Sequence, residues 1–370
     1  MRVLISGGLF YPATVGGPSK TLYWLAKSLV DSGMEVSVIT SNKYIEDKTI
    51  IFNKWIQFNG IRVRYCKVNN KIGLPVFFHG IREMKKCQTV LLSSLFYYPS
   101  FLLCVFAILY KKKIIWSPRG ELFDSALNNN KLKLSYIKSI HLLLAKNVIF
   151  HATSDEEKKA INRHFGEKCK TVILPNFMEM PKIEKRTEGE NYFLFVGRIA
   201  PIKALDKLLL GLSMSMDFLS SDYKLLIAGE PEKQFTDYYK TLLDILDSCP
   251  QLRSKVVFLG NVADSNKYTL FANAYFTILV SDSENFGNVV IESLCQGTPV
   301  IASLGTPWSI LGKTNSGLWI ENSPKIISEI IDKVLRLKSN DYEQMRTASA
   351  KLSMSFDFNT NIHNWISVIN

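Results

Sequence analysis

SDSENFGNVVIESLCQGTPVIA, residues Ser281–Ala302, is the stretch whose reading decides the fold. The apolar run before it, Tyr275–Val280, has the length and composition of a buried strand. A short helix is expected from about Gly287 to Gln296, with Gly297 as its stop, and Pro299–Ala302 is a second apolar strand. Strand, loop, helix and strand in this order belong to an open α/β sheet. Its ligand crevice lies where a strand ends in a polar loop.

Two glutamates stand in this unit, Glu284 and Glu292, with seven residues between them. Glu284 precedes the helix, where Phe286, Gly287 and Asn288 would present the unpaired N–H groups of the first turn. Glu292 lies inside the helix, on the side of Asn288 by the i, i+4 rule. Amides at a positive helix end suit an anion or an array of sugar hydroxyls. A carboxylate such as Glu292 suits a pair of ribose hydroxyls. On the residues alone a second reading stays open: Glu284 as a charge at the helix start, Glu292 as a solvated helix residue.

Further upstream the same alternation recurs. Arg2–Gly7 is a strand, Gly8–Pro18 a loop holding Gly16 and Gly17, Ser19–Ser32 a helix stopped by Gly33, and Val36–Thr40 a strand. The loop is not G-x-G-x-x-G, so NAD is not expected. Ile61–Tyr65 is a strand, and residues 43–60 show no clear period. Residues 89–110, TVLLSSLFYYPSFLLCVFAILY, are apolar for long enough to span a bilayer, and Lys111–Lys113 follow. Ser93, Ser94 and Pro99 interrupt the run. They favour a strand over Thr89–Leu95, a helix over about Pro99–Tyr110 and a strand over Ile114–Ser117.

Trp116–Asp124, WSPRGELFD, ends that strand and offers Arg119, Glu121 and Asp124. Lys131–Lys146 reads as a basic amphipathic helix, with Leu132, Tyr136, Ile140 and Leu143–Leu144 on the apolar side. Such a helix lies on an anionic membrane or on the sheet. Residues 70–87 mix Lys, Arg and Phe and are open to two readings, a lipid-linked substrate patch or a solvated basic helix. Val148–Ala152 is a strand, and Thr153 or Ser154 caps the helix that follows.

Polar Met178–Glu190 is the best linker candidate, after which a second α/β unit begins. Its first strand, Tyr192–Val196, leads into GRIAPIK. There Arg198 and Lys203, five residues apart across a strand-to-helix turn, can converge on one diphosphate. Tyr223–Gly229 and Val256–Leu259 are further strands, the latter followed by Gly260, Asn261 and Val262. Helices are expected over Lys325–Leu337, Asp341–Ser353 and Phe356–Ile369.

At 370 residues the chain has room for two domains. A net charge of +12 points to phosphorylated ligands or an anionic membrane. No RNP, zinc-finger or basic-helix pattern supports nucleic acid. The six cysteines are scattered without C-x-x-C spacing and read as reduced cytosolic thiols. MRVLISGGLFYP enters a strand at once, so no signal peptide is expected.

The pattern S-E-x-F-G-N-x-x-x-E-x-x-x-x-G-x-P-V-I-A resembles the E-x7-E signature of the retaining glycosyltransferases of family 4, of bacterial polysaccharide and O-antigen type. G-R-x-x-x-x-K resembles that family's diphosphate-binding pair, and Gly16-Gly17 its loop near the donor diphosphate. Three residues depart from the family pattern: Asn285 and Ala204, where Gly is common, and Arg119, where many relatives carry His.

The resemblance implies the GT-B fold, two Rossmann-like domains facing across a cleft. An acceptor-binding domain would span residues 1–178 and a nucleotide-sugar domain 190–353, with the helix of 354–370 crossing back to the first. It implies retaining hexosyl transfer from a nucleotide sugar, with Arg198, Lys203 and Glu284 catalytic. The donor would meet Gly16, Gly17, Gly229, Asn261, Val262, Phe286, Gly287, Asn288 and Glu292. Arg119, Glu121 and Asp124 would lie on the acceptor side. No metal or other cofactor is implied, although Asp282-x-Glu284 imitates a metal-binding D-x-D, and activity in EDTA is expected. The basic and aromatic patches fit a lipid-linked saccharide acceptor at the inner face of a cytoplasmic membrane. A sugar-nucleotide epimerase and a non-catalytic nucleotide-sugar-binding subunit are the alternatives.

Overall fold

The computed structural model describes every residue except 14–16, 69–72, 188–190 and 263, and omits the side chains of Asp264 and Ser265. The chain divides into two units, Met1–Glu179 with Asp357–Asn370, and Met180–Phe356.

The first unit is built on strands β1 (Arg2–Gly7), β2 (Glu35–Ser41), β3 (Trp55–Phe58), β4 (Ile61–Cys66), β5 (Thr89–Ser93), β6 (Lys113–Ser117), β7 (Ile149–Ala152) and β8 (Lys170–Ile173). They form one sheet in the order β3-β4-β2-β1-β5-β6-β7-β8. Every pair is parallel except β3 with β4. The central strands are near-continuous apolar runs because both faces are covered. Alternate residues serve the two faces. Leu4, Val90, Leu92, Trp116 and Phe150 pack under the helices Leu74–Met84, Tyr98–Leu109, Lys131–Leu143 and Asp155–Phe165. Val3, Ile5, Leu91 and Ile115 pack under Gly17–Asp31 and the C-terminal helix Phe358–Ile369.

Two expectations change here, and the strand–helix–strand reading of residues 89–110 holds. Residues 43–60 contain a strand, β3, joined to β4 by Asn59-Gly60 with φ of 49° and 80°. Asn-Gly between alternating residues is a strong short-range hairpin signal. The helix Lys131–Leu143 buries Ile137 and Ile140, whereas Leu132 and Leu143 point outward. The apolar run 89–110 is split by Ser94, at φ 73°, into β5 and the helix Tyr98–Leu109. Among the described residues no helix is long and apolar enough to cross a membrane.

The second unit holds β9 (Tyr192–Val196), β10 (Lys224–Ala228), β11 (Val256–Gly260), β12 (Phe276–Leu279), β13 (Val300–Ser303) and β14 (Gly317–Ile320). The order is β11-β10-β9-β12-β13-β14, all parallel. Ser281–Ala302 forms what its pattern predicts: a loop after β12, the helix Asn288–Leu294, and β13 after Gly297 at φ 72°.

Candidate active site

The second sheet runs outward in opposite directions from the neighbours β9 and β12. Their carboxyl ends therefore flank a topological switch point, where the connecting loops part and leave a crevice. After β9 come Gly197 and Arg198; after β12 come Ser281 to Glu284. The loops touch through backbone. Gly197 N–H donates to Ala228 O at 2.9 Å and Gly229 N–H to Gly260 O at 2.8 Å. Gly229 has φ 150°, and a Cβ there would fall 1.8 Å from Gly197 O, so only glycine fits. Gly287, at φ 81°, begins the short helix, and a Cβ on it would come within 3.2 Å of Glu284 Cγ.

Around this point every carboxylate singled out above meets a cation. Lys203 Nζ donates to Glu284 Oε2, and both side chains are largely buried. Lys207 Nζ lies 2.5 Å from Asp282 Oδ1, which also accepts from Asn322 Nδ2 at 2.7 Å. Arg198, half exposed, pairs with Glu232. Lys267 pairs with Glu292, which is buried. Glu292 is thus no solvated helix residue. Lys203 Cε lies 3.9 Å from where a Gly197 Cβ would be, so its stem runs along the loop after β9. Phe286 is buried edge-on against Trp308, whose indole N–H donates to Phe286 O. Asn288 opens the helix; Asn261 is exposed and Val262 half-buried, just after β11.

Lys267, Lys207 and Glu232 were not expected at this site. Their partners lie 25, 75 and 34 residues away in the chain. No local spacing marks them.

In the first unit the strand-end residues are held differently. Arg119 and Gly120 both take positive φ, 59° and 78°. Arg119 Nη1 donates to Asn176 Oδ1 at 3.1 Å, while its buried Nε has no hydrogen-bond partner among the described residues. Burial pushes the guanidinium down to about 10, with Glu157 pulling the other way, so it stays positive at pH 7. Glu157, fully buried, accepts from Gly120 N–H at 2.7 Å and from the N–H and hydroxyl of Thr153 at 2.7 and 2.9 Å. Burial raises its carboxyl, and these bonds and Arg119 offset part of the rise.

Glu121 accepts from Ser94 Oγ, from Leu95 N–H at 2.5 Å and from Phe96 N–H at 3.2 Å, and burial pushes it up. Asp124 is exposed and pairs with Arg163 at 3.0 Å. The three acceptor-side candidates therefore turn to three different partners. Gly17 opens the helix Gly17–Asp31; Gly16 lies outside the described residues.

His151, which no motif marked, is buried beside this group. Its Nε2 lies 2.8 Å from Leu174 O, which can only accept, so Nε2 carries the proton and Nδ1 accepts from Ser117 Oγ at 2.7 Å. Burial, then the Arg119 charge, push the imidazole down to about 3. A small pocket nearby is lined by Thr21, Leu25, Arg119, Pro175, Asn176, Phe177 and Trp365.

Residues 176–352 match the family of glycosyl transferases group 1. That segment holds Arg198, Lys203, Glu284 and Glu292 and nearly all of the second unit. An uncharacterized glycosyltransferase of Methanocaldococcus jannaschii is 32% identical over 152 residues, 40% of this chain and 36% of that protein. The O-antigen chain mannosyltransferase RfbU of Salmonella typhimurium is 28% identical over 172 residues, 46% and 44% of the two chains. The chain thus spans less than half the length of these two relatives. The crystal structure of Anabaena HepE in complex with UDP and glucose superposes with a TM-score of 0.79 at 16% identity, over 99% of this chain and 98% of that one. The fold is therefore the two-domain α/β GT-B fold with parallel sheets.

Proposed function

We propose that this chain is a retaining, metal-independent glycosyltransferase of family 4. It moves a hexosyl group from a UDP- or GDP-linked donor to a saccharide hydroxyl. The acceptor is an oligosaccharide on a lipid pyrophosphate, in surface polysaccharide or O-antigen assembly at the inner face of the cytoplasmic membrane. The observation that carries the reading is the Lys203–Glu284 pair at the switch point between β9 and β12. The family match over 176–352, the relative named for O-antigen mannosyl transfer and the fold shared with a UDP-bound protein support it.

A diphosphate entering this point competes with Glu284 for the Lys203 ammonium and with Glu232 for Arg198. Its arrival frees the Glu284 carboxylate for a sugar hydroxyl. Glu292, placed by Lys267, takes the ribose hydroxyls. When the anomeric C–O bond breaks, its electron pair goes to the diphosphate, where Lys203 and Arg198 stabilise the charge. The acceptor oxygen forms the new bond on the same face, and its proton passes to the diphosphate. Two fixed cations do here what a metal does elsewhere.

The test is release of nucleoside diphosphate from a panel of UDP-, GDP- and dTDP-sugars, with and without EDTA. One donor turned over slowly without acceptor, faster with it, and equally in EDTA is the expected result. Donor consumed to a new nucleotide sugar would mean an epimerase; donor bound without turnover, a binding subunit. Glu292→Gln should weaken donor binding in calorimetry.

A further inference from the structure

The helices Leu74–Met84, Tyr98–Leu109 and Lys131–Leu143 cover the same side of the first sheet, since their buried residues share one core. Helix Leu74–Met84 packs on Tyr98–Leu109 so closely that a Cβ on Gly80 would meet Leu103 at 2.8 Å. Phe101 of the second helix meets Tyr136 of the third at 5.6 Å between ring centroids. The three therefore make a continuous layer with one outer face.

That face is apolar where it should be polar. Leu132 is 82% exposed, Leu142 75% and Leu109 66%; Leu143 and Phe78 are exposed too. Large outward side chains grouped on neighbouring helices mark an interaction surface. The charges carried by these segments are almost all of one sign. Residues 73–113 and 131–148 contain ten Lys and Arg and a single acid, Glu83. Glu83 is buried and bound by Arg62, so no acid of these segments reaches the surface. By contrast the neighbouring helix Asp155–Phe165 carries three acids in its first turn.

We propose that this face docks on the anionic headgroups of a lipid bilayer, with Leu109, Leu132, Leu142 and Leu143 entering the headgroup boundary and the lysines meeting lipid phosphates. Apolar groups flanked by Lys on a surface helix bind at the interface, and each Lys or Arg near an anionic leaflet adds to the attraction. A second copy of the chain is a poor occupant, because it would bring the same cations against each other. The inference rests on the reading above only for its purpose, which is to bring a lipid-linked acceptor to the enzyme; docking itself needs no sugar.

The experiment is co-sedimentation of the full chain with phosphatidylglycerol–phosphatidylcholine vesicles and with phosphatidylcholine vesicles. The expected result is binding to the anionic vesicles, reduced by about tenfold or more in Lys131→Glu/Lys138→Glu. Leu132→Ser/Leu142→Ser should lose binding as well. The matched pair Lys240→Glu/Lys351→Glu, exposed lysines of the second unit, should change it about twofold at most. No binding to anionic vesicles overturns the proposal, as does equal loss in the matched pair, which would mean diffuse charge alone. Capture of an acidic protein with no vesicle binding would overturn it in favour of a protein partner. Nucleoside diphosphate release on a soluble acceptor is measured on the same variants and should be unchanged. Its absence in every protein, wild type included, would count against the transferase reading and leave the vesicle result standing by itself.

Discussion

Both units end their parallel strands in loops that hold carboxylates, and they hold them in opposite ways. In the first unit Glu157 and Glu121 are bound mainly by backbone N–H groups of neighbouring loops. In the second, Glu284, Glu292 and Glu232 are bound by Lys203, Lys267 and Arg198. A backbone amide cannot leave without unfolding its loop. An ammonium on a four-carbon stem can be taken over by a phosphate. The first arrangement is a clamp, and under the proposed function the second is a resting state that the donor diphosphate replaces. Substitutions should separate the two: loss of activity with the fold intact in one unit, loss of stability in the other.

The largest effect is expected at Lys203. Removing one preorganised donor from a developing negative charge typically costs about 3–4 kcal/mol, or roughly 10²–10³-fold in turnover. Lys203→Ala, and Arg198→Ala beside it, should fall in that range by nucleoside diphosphate release. Near wild-type rates would place the diphosphate elsewhere.

Glu157→Ala is the counterpart in the first unit. It strands two N–H groups and a hydroxyl in a dry site and leaves the Arg119 charge without its acid. A loss of about 3 kcal/mol in urea unfolding is expected. A loss as small as that of an exposed residue would show that the clamp is replaceable after all.

Next comes a pH effect from His151. Its pKa is about 3 in the folded chain against 6.5 in a free histidine. Below pH 6.5 the unfolded chain binds a proton that the folded chain does not. Stability from this group is therefore present above 6.5 and is lost progressively as pH falls toward 3. Between pH 6.5 and 5 the loss is about 2 kcal/mol. His151→Gln keeps a donor for Leu174 O and an acceptor for Ser117, so the variant should lose this part of the pH dependence and little else. An unchanged slope would mean that other groups carry it.

What the sequence disclosed follows the same divide. The strands and helices around Ser281–Ala302 were legible because apolar runs, Gly287 and Gly297 act within a few residues. The hairpin through Asn59-Gly60 was equally local; its second strand was legible, and its first, Trp55–Phe58, was missed because it is four residues long with none of them fully buried. The apolar face of Lys131–Leu143 was read correctly at Ile140 and wrongly at Leu132 and Leu143, because leucines occur on both sides of the helix; only packing chooses Ile137 over them. Glu284 and Lys203 could be singled out by type and position. That they touch could not, since 81 residues separate them. His151 carries no signal at all, because its character comes from burial and from Arg119 rather than from its neighbours in the chain.

The smallest effect concerns backbone, where the two units agree. Each places a non-glycine residue in the left-handed region beside its strand-end loop, Arg119 at φ 59° and Ala204 at φ 52°. Ala204 directly follows Lys203 and caps the helix Leu205–Met214. Glycine there would relieve about 1–2 kcal/mol of steric cost. It would also lose about 0.8 kcal/mol of buried methyl and about 0.5–1 kcal/mol to the freer unfolded chain. These nearly cancel, so Ala204→Gly should change the unfolding free energy by less than about 0.5 kcal/mol. The Lys203 ammonium would then be held by Glu284 as before, and turnover should stay near wild type. A gain above about 1 kcal/mol accompanied by slower turnover would show that the backbone at 204 is held under strain in order to aim Lys203. The resting pair would then be a positioned one, closer to the clamps of the first unit than the comparison has it.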